Sequence, residues 1–146
     1  LLALMGQLLG GWSSDRFQER RLHACLPILV GAVAMLCAPA TMGTLTLTML
    51  CLMVAFAGFK TYMPAFWSLP SLFLAEAAAA GSIGLINSVG NLGGAVGPAV
   101  IGTLKTTTGS FTSGFWFLGA SMLVAFLIIF FLGLGARKSA VERLNN

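Results

Sequence analysis

The feature that most constrains this chain is a succession of long apolar stretches with almost no charge inside them. One runs from about Leu22 to Ala38, and three more from about Leu45 to Leu74, Gly81 to Leu104 and Phe111 to Leu134. This is the length scale of helices that cross a ~30 Å hydrocarbon layer. Only 8% of the residues are charged, against about 25% in a soluble domain, so the chain lacks the polar surface to cover a water-soluble core. Barrel strands would appear as short alternating segments, whereas helices satisfy their own backbone groups within one apolar stretch. The chain reads as an all-α membrane protein.

Leu1 to Trp12 is also apolar, but as a helix it would be only about 18 Å long. It reads as the end of a span whose beginning is missing, which makes five crossings in all. No charged leader or cleavage pattern precedes it, so a signal peptide is not indicated. Cys25, Cys37 and Cys51 lie in apolar sequence without paired spacing. They read as small core residues and not as metal ligands or disulfide partners.

Basic residues set the expected orientation. Arg16, Arg20 and Arg21 fall in the first connection, and Arg137, Lys138 and Arg143 in the tail. An alternating chain places these two groups on one side and Lys105 on the other, and the positive-inside rule makes the crowded side cytoplasmic. The net charge of +4 is therefore topological. No basic face runs along any segment, so nucleic acid is not an expected partner.

Two spans are unusual. Leu45 to Leu74 would be about 45 Å long as one straight helix, and Pro64 and Pro70 interrupt it. Prolines at membrane depth either line a cavity, where freed carbonyls find partners, or merely shape packing. Lys60 lies in this span, about 22 Å from Leu45 by helical rise. A charge that deep faces a cavity or a partner, or snorkels to an interface. With Tyr62, Phe66 and Trp67 close by, it is a candidate for holding an anionic substrate; pairing with a carboxylate elsewhere is the rival.

The following span reads Gly81-Ser-Ile-Gly-Leu-Ile-Asn-Ser-Val-Gly-Asn-Leu-Gly-Gly-Ala-Val-Gly-Pro98. Gly90 and Gly94, and Gly93 and Gly97, are four apart, the spacing that lets helices approach closely in lipid. With Pro98 they mark a packing face, or one that changes partners. Asn87 and Asn91 project from one face. That face lines a path or meets another helix, since an unpaired amide in hydrocarbon is costly.

Three passages resemble the C-terminal part of a Major Facilitator Superfamily transporter, and within it the anion:cation symporters. Gly11-Trp-Ser-Ser-Asp15-Arg16, followed by Arg20-Arg21, is similar to the superfamily's cytoplasmic loop motif in its second-half copy. Pro64-Ala-Phe66-Trp67-Ser-Leu-Pro70 resembles the tenth helix of these symporters. Ile86-Asn87-Ser88 through Gly97-Pro98 resembles the eleventh. The loop departs from the pattern by lacking a glycine before the paired arginines and by one extra residue after Asp15. Lys60 also departs from it.

The resemblance implies a fold of twelve helices in two six-helix halves, with substrate bound between them. Residues 1–134 would be part of the C-terminal half, from a truncated helix 8 through helix 12, and 135–146 a cytoplasmic tail. It implies symport of a small organic anion, such as a carboxylate or sugar acid, with a proton or sodium ion. The substrate-binding candidates are Lys60, Tyr62, Trp67, Asn87 and Asn91. The loop residues Gly11, Asp15, Arg16, Arg20 and Arg21 would hold one access state through the missing N-terminal half, or act as a simple charged anchor. No Asp or Glu lies well inside a span, so a coupling carboxylate belongs to the missing part. The bacterial inner membrane is the expected location.

Rival classes are poorly supplied. The single histidine, His23, is interfacial, and Asp15 is the only aspartate, so no catalytic residue, metal site or cofactor is expected. A channel or structural subunit is the remaining alternative. It would not need a kinked tenth and a glycine-rich eleventh helix together.

Overall fold

The computed structural model describes residues 2–17 and 20–144, without the side chains of residues 2, 15, 17, 20, 21, 72, 73 and those from 132 on. Six α-helices follow in order: α1 (Leu2–Phe17), α2 (Arg20–Cys37), α3 (Leu45–Thr61), α4 (Met63–Phe73), α5 (Glu76–Thr108) and α6 (Thr112–Leu144). There is no strand among the described residues. Three stretches are long and apolar enough to cross a membrane: Leu22–Thr41, Leu45–Ser71 and Thr112–Phe131. α5 has the length, at 33 residues, but its glycines, serines and asparagines dilute its hydropathy.

Several boundaries differ from the sequence expectation. α1 continues through Ser13, Ser14 and Asp15 to Phe17, and α2 already starts at Arg20. Residues 18 and 19 of the first connection lie outside the described residues, and the helices on either side of them include Arg16 and Arg20. α6 runs on to Leu144, so most of the expected tail is a helical extension.

The long proline-bearing span breaks once, at Tyr62. Pro64 sits in the first turn of α4, where its missing N–H costs least. The break is shallow: the Tyr62 N–H donates to the Gly58 carbonyl at 3.3 Å, and the Phe66 N–H to the Tyr62 carbonyl at 2.9 Å. Pro70 does not interrupt the helix, which passes through it to Phe73. Of the two expected breaks, only the one near Pro64 forms.

α2 is the centre of the packing, touching α3 on one side and α6 on another, while α1 lies along α3. Ala24 and Cys25 of α2, Ala65 and Leu69 of α4, and Ile129 of α6 form the core, with Tyr62, Phe66, Phe126 and Phe130 against it. Of the cysteines, Cys25 is buried, as read; Cys37 is exposed and Cys51 half-buried. The outer faces are apolar: Leu45 is 73% and Phe131 63% exposed. In water these surfaces would be a severe liability; in hydrocarbon they are ordinary.

The tightest helix crossing joins α2 and α3. A Cβ on Gly58 would fall against the Pro27 carbonyl oxygen, and 3.0 Å from the backbone of Gly31. α1 meets α3 in a similar way, since Cβ atoms on Gly6 and Gly10 would run into Thr61. The Thr61 hydroxyl donates to the Ala57 carbonyl at 2.8 Å, which fixes the side chain between the two glycines. These are small-residue contacts of the kind that bring helix backbones together in lipid.

Candidate functional site

Lys60 sits in the last turn of α3, two residues before the break. Position 60 is about 200° round the helix from Gly58, so it lies on the side of α3 away from α2. Its ammonium is 5.7 Å from the Phe56 ring centre and 6.0 Å from that of Phe59. Both are cation–π distances and partly compensate the loss of water. No described carboxylate lies within ion-pair reach of Lys60, the acidic side chains of Asp15, Glu19 and Glu142 being outside the described set.

A ladder of rings continues from Phe59. Phe59 and Tyr62 are edge-to-face at 5.6 Å, Tyr62 and Phe66 at 5.6 Å, and Phe66 and Trp67 at 5.4 Å. The sequence candidates Lys60, Tyr62 and Trp67 are thereby linked through one aromatic chain, but they do not share a face. Tyr62 turns into a groove of about 570 Å³ between α2, α3 and α6, with Phe56, Phe59, Met35 and Met122. Ser121 also lines it, its hydroxyl donating to the Phe117 carbonyl at 2.8 Å.

Asn87 and Asn91 are exposed on α5 and have no side-chain hydrogen bond to a described residue. α5 packs mainly on α4 and α6, and no described contact joins the asparagines to Lys60. Beside them, Gly90, Gly93, Gly94 and Gly97 face open space, with no atom within 4 Å of where a Cβ would be. Pro98 is exposed too. The opposite side of α5 is a lipid-compatible stripe, with Leu85, Val89, Leu92 and Val96 all 57% or more exposed.

Of the loop-motif residues, Gly11 lies beside Pro64, a Cβ on it meeting the proline at 3.6 Å. This places the first motif against the second. Arg16 is exposed and stacks over Trp12, its guanidinium carbon 5.4 Å from the ring centre. Asp15, Arg20 and Arg21 are placed by backbone alone, so the expected ion contacts of this motif lie outside the described residues. Ser13 Oγ and His23 Nε2 are hydrogen bonded at 2.9 Å and tie α1 to α2 at this end.

The sequence reading missed the glycine contacts that the fold uses. Gly6 and Gly10 are four apart and carried the same signal as Gly90 and Gly94. Gly31 and Gly58 carry none, because each stands alone in its helix and their proximity is purely tertiary. No cluster of three metal-ligating side chains exists among the described residues.

Residues 1–145 match the family model for the Major Facilitator Superfamily. The chain belongs to this superfamily of membrane transporters, and not to an enzyme family. A protein of Agrobacterium vitis named "Putative tartrate transporter" is 37% identical over 149 residues, all of this chain and 32% of that protein. The "Putative metabolite transport protein NicT" of Pseudomonas putida is 38% identical, over 88% of the chain and 30% of its own length. An Acinetobacter baumannii protein named "Quinolone resistance transporter" is 34% identical over 99% of the chain and 33% of that protein. The chain thus spans about a third of the length of these curated relatives. No solved structure matches it.

Proposed function

We propose that the chain is part of a carrier that moves a small organic anion across the bacterial inner membrane by symport, as in the anion:cation branch of the superfamily. The observation that carries this reading is Lys60. It is a cation about halfway along a bent span, on the α3 side turned away from α2, and it lacks a described acidic partner. Burying a charge at that depth costs at least ~2.5 kcal/mol on insertion scales. An anionic substrate offsets that cost while it is bound. The name of the Agrobacterium relative refers to tartrate, a small dicarboxylate, which fits the same charge logic.

In this reading Tyr62 and Trp67 belong to the wall near the substrate, and Asn87 and Asn91 face it, or the other half, from α5. Gly90, Gly93, Gly94, Gly97 and Pro98 pack against helices of the remaining two thirds. Gly11, Asp15, Arg16, Arg20 and Arg21 stabilise one access state at the cytoplasmic surface. The proton or sodium site belongs to the remainder of the carrier.

Uptake by the whole carrier tests the role of Lys60. Lys60→Gln should raise the half-saturating anion concentration about tenfold or more, the scale of a lost charge-assisted hydrogen bond. Lys60→Arg should retain part of the affinity, since it keeps the charge with altered geometry. Near-normal affinity in Lys60→Gln would remove the substrate role. The orientation is tested by impermeant thiol labelling of single cysteines: position 105 should react from outside and position 138 should not.

A further inference from the structure

A second groove, of about 520 Å³, lies between α1, α2 and α3, with Val54, Ala57, Gly58 and Thr61 of α3 in its lining and Lys60 not among its residues. Its walls are Met5 and Leu9 of α1, Leu26 and Val30 of α2, and Val54 of α3. Its floor is backbone and small side chains, where Gly6, Pro27 and Gly58 bring the three helices close. Leu9, Leu26 and Val30 are 60%, 56% and 54% exposed, so the groove opens outward.

What happens at one end of the groove defines its occupant. Met5 and Leu9 are followed on the same α1 face, by i+3 and i+4 steps, by Trp12 and Arg16. Trp12 is 61% exposed and Arg16 stacks over it. From Leu9 to Arg16 the helix rises about 10 Å. Beyond the groove itself, the α1 face that supplies Met5 and Leu9 thus passes from aliphatic to indole to guanidinium over about the distance between an acyl chain and its phosphate. The Ser13–His23 hydrogen bond closes the helix pair at that level. Arg20 and Arg21 open α2 at the same end. The neighbouring acidic position, Asp15, falls about 100° round α1 from Arg16.

We propose that this groove is a binding site for an anionic phospholipid, with one acyl chain along Met5, Leu9, Leu26 and Val30 and the phosphate at Arg16. Hydrocarbon is the solvent of an outward-facing apolar groove in a membrane protein, and basic residues at the mouths of such grooves select anionic headgroups. Trp12 is the interfacial anchor between the two regions. The site is separate from Lys60, which lies elsewhere around α3.

The test uses the whole carrier in vesicles of phosphatidylcholine and phosphatidylglycerol, with Trp12 as its only tryptophan. Lipids brominated on the acyl chain quench a tryptophan that they touch. Brominated phosphatidylglycerol should quench Trp12 more strongly than brominated phosphatidylcholine at equal mole fraction. Arg16→Gln should weaken that preference about fivefold, the worth of one arginine near an anionic surface. Equal quenching by both lipids would mean ordinary bulk contact and overturn the proposal. Absence of quenching would mean that another part of the carrier covers the groove, and would overturn it too. If the single-tryptophan carrier does not fold, lipid retained by the purified carrier is measured instead. Loss of phosphatidylglycerol in Arg16→Gln then supports the site, and unchanged retention refutes it.

Discussion

Helices α3 and α5 both carry glycine and polar residues at membrane depth, yet their surroundings are opposite. On α3, Gly58 is pressed onto the α2 backbone, and Thr61 fills the space left by Gly6 and Gly10. On α5, Gly90, Gly93, Gly94 and Gly97 have no neighbour within 4 Å of a Cβ position, and Asn87 and Asn91 are exposed. Glycine therefore does different work in the two helices. In α3 it lets this chain's own helices close up. In α5 it leaves a smooth face that the described residues of this chain do not cover.

The contrast can be broken most directly at Gly58. Replacing it by alanine drives a methyl group into the Pro27 carbonyl and the Gly31 backbone, and neither is the yielding end of a side chain. The expected loss is about 3 kcal/mol, the upper part of the usual overpacking range. A large fall in the melting temperature of the purified carrier would report it. An unchanged melting temperature would show that α2 and α3 are not in this contact in the membrane.

A smaller effect is expected from the α5 amides, and on a different observable. Asn87→Leu and Asn91→Leu should each lower transport about fivefold, the scale of one neutral hydrogen bond, while the membrane level stays near normal. Expression that falls in step with transport would instead make the amides a structural link between helices.

The smallest effect on stability is expected at Gly93. The chain itself has room for a methyl group there, and alanine favours the helix by up to about 1 kcal/mol. Gly93→Ala should therefore alter the melting temperature far less than Gly58→Ala, and reduce transport more than stability. A stability loss as large as that of Gly58→Ala would show α5 to be as tightly packed as α3 and erase the distinction.

Much of the architecture was legible in the chain because lipid imposes a simple rule. Backbone groups must be satisfied inside each apolar segment, so apolar length alone locates Leu22–Thr41, Leu45–Ser71 and Thr112–Phe131 as helices. Pro64 marked a real break, and the position of Lys60 within its span needed nothing beyond residue counting. The joints were harder to read. Ser13 to Phe17 looked like a polar connection but continues α1, because a charged residue at a helix end is as compatible with the last turn as with a loop. Pro70 looked like a second break, yet α4 runs through it.

By itself the sequence determined the solvent, the helical class, the number of long apolar stretches and the rarity of a lysine within them. Each of these follows from composition or from distance along one segment. Only the tertiary structure decided which glycines are contacts, which helices close the groove that Tyr62 enters, and which helices close the groove that Met5 and Leu9 line. Those are relations between residues tens of positions apart, such as Gly31 with Gly58 or Gly10 with Thr61. Periodicity within a helix fixes a residue's face, but the helix that covers that face is fixed only when the helices pack.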